Sequence, residues 1–151
     1  MINALPFLIF LVIIAGTLSP FQAGINAELN RHLGHPLIAA AFNCISAGIY
    51  LLIIAVLLRV PTPSYQAILN TPWWAWLGGL CGAAYVTFTL ISAPKLGALL
   101  LMISFIFGTI SMSIIIDHFG WVGYQVKSLT LYRAIGLVAL CISIYCIYKG
   151  R

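Results

Sequence analysis

Amides, hydroxyls and one adjacent Asp–His pair are the groups in this sequence that could do chemistry, and most stand inside long apolar runs. Ser19, Gln22 and Asn26 recur at i, i+3 and i+7 in the first run. Asn43, Ser46 and Tyr50 share the second, beside a ladder of small residues, Ala40, Cys44 and Gly48. Gly78, Gly82, Tyr85, Thr89 and Ser92 form a stripe along the third, and Gly97, Ser104, Gly108 and Ser111 mark a face of the fourth that Leu101 shares. Spacings of three and four put such residues on one side of a helix. A fifth run offers less, with Arg133, Gly136 and Ser143. Inside a membrane, small and hydroxyl residues let helices approach closely, whereas polar groups beside a hydrated cavity line a pathway. Gly78/Gly82 and Ser104/Gly108 read first as helix–helix seams. Gln22, Asn26 and Asn43 fit either role, because a buried amide costs several kcal/mol unless it is satisfied. Asp117 and His118 follow an unbroken apolar helix. They either organise a turn or handle a proton or a gate, since imidazole titrates near neutrality.

Other chemistry finds less support. Glu28, His32 and His35 have i, i+4, i+7 spacing, a metal pattern if the helix were continuous, but Gly34 and Pro36 interrupt it and no fourth ligand is visible. An ion pair of Glu28 with Arg31 and His32 is the simpler expectation. Cys44, Cys81, Cys141 and Cys146 form no CxxC pair and read as small buried hydrophobes. There is no Ser-His-Asp constellation, nucleotide loop or dinucleotide fingerprint, so neither an enzyme nor a cofactor is expected.

The elements that must position these groups follow from composition. Of 151 residues, 63% are hydrophobic and 6% charged, with seven Lys/Arg against two Asp/Glu and a mean hydropathy of +1.12. A soluble domain of this size would lack the polar surface to cover itself. The basic residues stand singly at the ends of apolar blocks, which suits membrane spans and not nucleic acid. Five segments are long enough to span: about 4–27, 36–58, 72–92, 95–116 and 131–148. Pro20 lies inside the first and predicts either a break near Gly16 that would open a site or a plain kink. Residues 65–71 leave room for a short interfacial turn. Ala93-Pro94-Lys95 reads as a tight turn that makes spans three and four antiparallel neighbours, and Asp117-His118-Phe119-Gly120 as the start of the last loop. No Lys or Arg precedes Arg31, so the first run lacks a signal-peptide n-region and is expected to be retained. The expected fold is an all-α integral membrane protein, residues 1–151 forming a single five-helix transmembrane domain with N- and C-termini on opposite sides of the bilayer.

Orientation is set by Lys and Arg in short loops. Arg59, Lys127 and Arg133 fall on the N-terminal side, against Arg31, Lys95, Lys149 and Arg151 on the other. Either the Lys149/Arg151 pair decides, or the chain inserts both ways and pairs with its inverted copy. Trp73, Trp74, Trp76, Trp121 and Tyr124 fall at one interface as an aromatic belt, with Tyr145 and Tyr148 near the other; Trp73/Trp74 could also line an entrance.

Several of these segments resemble one family. Residues 19–29 (Ser19-Pro20-Phe21-Gln22 through Asn26-Ala27-Glu28-Leu29) are similar to the first-helix signature of the YdcZ-type inner-membrane exporters, a five-helix, half-length branch of the drug/metabolite transporter superfamily. The run from Trp73-Trp74-Ala75-Trp76 to Gly82-Ala83 resembles their third-helix motif. Ala93-Pro94-Lys95-Leu96-Gly97-Ala98 and Ile116-Asp117-His118-Phe119-Gly120-Trp121 resemble two more. The resemblance covers essentially the whole chain in order. It implies a bacterial inner-membrane protein acting as an antiparallel homodimer or with a paired homologous chain, each chain half of an inverted-repeat ten-helix transporter. Gln22, Asn26, Asp117 and His118 are the family-motif positions. The family usually has Gln after the Gly108 equivalent, where this chain has Thr109.

The functional expectation is a small secondary transporter moving a small organic solute by alternating access. Gln22, Asn26, Asn43, Tyr85, Thr89, Ser104 and Ser111 would line its pathway. A dual-topology ion channel, or an accessory subunit without transport activity of its own, would use the same stripes. Glu28 and Asp117, the only acids, fall near span ends, which leaves no obvious midplane proton carrier.

Overall fold

Apolar residues dominate every long run, and in the computed structural model, which describes residues 4–150, those runs are helices: α1 (Ala4–Leu33), α2 (Pro36–Leu57), a short α3 (Tyr65–Leu69), α4 (Leu77–Phe119) and α5 (Leu131–Lys149). Single 3₁₀ turns, Trp73–Trp76 and Trp121–Gly123, precede and follow α4. Met1–Asn3 and Arg151, one of the counted cations, lie outside the described residues. Four helical stretches are long and apolar enough to cross a membrane: Leu5–Leu33, Pro36–Leu57, Trp73–Phe119 and Leu131–Lys149. Very few of their residues are buried within the chain, and none in the α5 window. Their apolar surface therefore needs a solvent other than water.

Helix ends differ from the sequence expectation where local chemistry overrides hydropathy. α1 runs six residues past Ala27, because Glu28, Arg31 and His32 support its last turns and Gly34, at φ 75°, supplies the left-handed stop. It also passes through Pro20 without a break. One missing N–H is tolerated in a helix of 30 residues, about 45 Å long. His35 then caps α2, its Nδ1 accepting from the Leu37 N–H at 3.2 Å, with Pro36 at the first helical position.

The third and fourth expected spans are joined in α4, and its interruption is not at Ala93-Pro94-Lys95. Those residues stay helical, and the break falls at Gly97, with φ 73° and ψ 165°. That conformation is essentially glycine's alone, so the residue type and not the proline fixes its place. On either side lie helical stretches 77–96 and 98–119, each about 30 Å long. The second extends past Ile116, so Asp117 and His118 occupy the last helical turn instead of opening the loop. Gly120, at φ 65°, ends it.

Packing divides the chain into two compact units, Met1–Lys95 and Leu96–Arg151. In the first, α1 packs on α2 across the tight Gly34–His35 turn, and Ala39 and Ala40 are buried. In the second, α5 runs back along 98–119. Arg133 meets Asp117 at one end, and Ile147 and Gly150 face Leu96–Leu100 across a 260 Å³ cleft at the other. The half-buried residues of α5, among them Arg133, Leu137, Leu140, Ile144 and Ile147, recur every three or four positions and so mark one face of the helix.

Candidate functional site

In the first unit the buried side of α1 is polar. At 100° per residue, Ser19, Ala23, Asn26 and Asn30 fall within an arc of about 60°. Ala23 and Asn26 are buried, Asn26 being 4% exposed. Gln22 stands about 40° outside this arc and is exposed within the chain, while Glu28 lies on the opposite side of the helix. Glu28 is spoken for there: its Oε1 accepts from Arg31 Nη2 at 2.7 Å and stands 3.1 Å from His32 Nε2.

A hydrogen bond joins α1 to the first stretch of α4, with Ser19 Oγ 3.2 Å from the Tyr85 hydroxyl. The stripe around Tyr85 is rotated from expectation. Val86, Thr89 and Leu90 are buried, whereas Gly78 and Gly82 are exposed. A Cβ at either glycine would meet nothing within 4 Å among the described residues, and the same holds at Gly108. Gly78 and Gly82 are therefore not seams within the first unit, because its buried arc on α4 is centred on the larger Val86 and Leu90 about a quarter turn away. Thr89 donates its hydroxyl hydrogen back to the Tyr85 and Val86 carbonyls, both at 3.0 Å. On α2, Asn43 is half-buried. Asn26 and Asn43 stand equally far along the chain from the Gly34–His35 turn, so an antiparallel hairpin puts them at one level, about 13 Å from it.

The other expected site residues belong to the second unit. Ser104 and Ser111 are half-buried, each donating to its own helix, to the Leu100 and Phe107 carbonyls at 2.7 Å. Asp117 has a partner the sequence did not suggest: its Oδ2 lies 3.2 Å from Arg133 Nη1, with about a third or less of either side chain exposed. The contact is one of charge and distance, since its angles do not make it a hydrogen bond. The Asp117 carbonyl accepts from the Lys127 N–H at 2.8 Å, folding the 120–127 loop back onto the helix end. His118 packs edge-on against Phe119, ring centres 5.0 Å apart, and lines an open apolar cleft of 200 Å³ with Ile114, Ile115 and Leu129.

All four cysteines, expected to be buried, are exposed within the chain; in an apolar solvent a small hydrophobe gains nothing by facing inward. His35 is used as a helix cap, not as a third ligand beside Glu28 and His32. Among the described residues no group of three His, Cys, Asp or Glu could hold a metal ion. Sequence reasoning missed Asn30, whose Oδ1 is closed off from solvent with no hydrogen-bond partner. It continues the Ser19–Asn26 stripe by one turn, a signal hidden by ending the helix at Ala27.

Long helices with apolar exteriors and amides or hydroxyls on their few inward faces define a multi-pass membrane protein. A family model described as "Putative inner membrane exporter, YdcZ" matches residues 7–146. The chain belongs to that family and is a multi-pass inner-membrane protein. No curated protein and no solved structure matches it.

Proposed function

We propose that the protein is a secondary transporter of a small organic solute, working by alternating access as an antiparallel pair of chains. The family gives an exporter of the inner membrane. On this reading 77–96 and 98–119 cross separately, making five crossings with the termini on opposite sides, and a second copy inserted the other way up completes a ten-helix inverted repeat. The observation that carries the reading is the Ser19–Tyr85 bond, which ties polar stripes on α1 and α4 together beside buried Asn26 and Thr89. Gln22, Asn26, Asn43, Tyr85 and Thr89 line the pathway.

Reconstituted vesicles test this with radiolabelled neutral (myo-inositol, nicotinamide), cationic (tetraphenylphosphonium) and anionic (benzoate) solutes. Saturable flux with counter-transport is expected, falling at least tenfold in Asn26→Ala. Non-saturating electrical current without counter-transport would replace this reading with a channel. Fluxes unchanged by Gln22→Ala and Asn26→Ala, with another protein co-purifying, would make the chain an accessory subunit.

A further inference from the structure

Asn26 is buried. One turn on, Asn30 Oδ1 is sealed from solvent with no hydrogen-bond partner. A buried amide and a sealed, unpartnered amide oxygen on one helix face are costly unless something supplies complementary groups. A carboxamide offers two N–H donors and a carbonyl acceptor. The buried hydroxyl of Thr89 spends its hydrogen on its own backbone and offers lone pairs only. What this face presents is a balanced set of uncharged donors and acceptors.

The acids of the chain are committed elsewhere. A desolvated organic cation needs a carboxylate to offset the loss of water. The sequence holds two. Glu28 is bound to Arg31 and His32 on the side of α1 away from Asn26, and Asp117 is bound to Arg133. A second copy of the chain would bring the same two, in the same pairs. Of the seven Lys and Arg, Arg31 and Arg133 are the cations of those pairs, Arg59, Lys95, Lys127 and Lys149 stand exposed in turns or near a helix end or break, and Arg151 lies outside the described residues.

Resting on the transporter reading above, we propose that the solute is uncharged and recognised through hydrogen bonds to the α1 amides, and that its crossing moves no net charge. Neither acid acts as a proton carrier. The same vesicles decide this when a membrane potential or a pH gradient is imposed. Myo-inositol or nicotinamide should move at a rate changed less than twofold by either gradient, and tetraphenylphosphonium should not move above protein-free vesicles. Asn26→Asp should then admit tetraphenylphosphonium at more than ten times the wild-type rate, because it places a carboxylate on the buried face. Saturable tetraphenylphosphonium or benzoate flux in the wild-type protein, or a gradient-driven neutral flux, overturns the inference and leaves the transporter reading standing. Absence of flux for every solute overturns both. The wild-type measurements need no variant to fold.

Discussion

Asp117 sits in the last turn of α4 and Arg133 in the first turn of α5, so each charge stands at the helix end where the backbone dipole disfavours it. Each is stabilised by the other at 3.2 Å. Removing one partner leaves the second both partly desolvated and badly placed. Asp117→Asn should lower stability by about 1–2 kcal/mol, and adding Arg133→Gln should recover most of that loss. Thermal unfolding of both single variants and the double variant in detergent measures the coupling; additive losses would show that the pair does not act as a unit. The acid itself was legible in the sequence, but its partner was not, because Arg133 lies on another helix, beyond the last loop. The adjacent His118 was the visible candidate, and neighbours in a helix point in different directions.

Two glycines decide how the second half of the chain begins and ends its helix. Gly97 has open space around a notional Cβ, so Gly97→Ala costs only backbone strain, about 1–3 kcal/mol. At Gly120 the left-handed conformation is joined by a steric conflict, since a Cβ would lie 2.7 Å from Val126 Cγ2. Gly120→Ala should therefore be the more damaging of the two. Gly79→Ala, in a helical position with nothing within 4 Å among the described residues, is the control expected to leave the melting temperature unchanged or raised. A Gly97→Ala variant as stable as that control would mean that the helix break is not fixed by glycine. Hydropathy showed that the stretch from 72 to 116 was too long for one crossing. It pointed to Pro94 for the turn because proline is the stronger breaker in general, and it could not see a backbone angle.

At the scale of the molecule, orientation hangs on few charges. Lys and Arg count by their position and nearby acids contribute little, so three on one side against four on the other stays a near balance. Arg59 is the more telling residue. It holds φ 50° at the end of α2, where glycine would sit more easily. Arg59→Gly should raise stability by about 0.5–1 kcal/mol while removing a charge from the weaker side. Paired C-terminal reporters, one active only in the cytoplasm and one only outside, should both respond in the wild type. The variant should tip them toward one, and Val60→Lys toward the other. A wild-type signal from a single reporter would exclude a symmetric antiparallel homodimer.

Composition alone determined that this chain lives in a bilayer, because 6% charge cannot clothe a water-soluble fold. Helical spacing likewise marked Asn26, Tyr85 and Thr89 as inward candidates, since the period of a helix is written in the residue order. Only the tertiary structure decided which stripe faces are buried, that Ser19 reaches Tyr85, and that Asp117 is paired with Arg133; the Glu28 pair was already written in the i, i+3 and i, i+4 spacing. Lipid-facing and inward-facing apolar residues look alike in sequence, so the rotation of each helix is set by packing contacts between segments far apart in the chain.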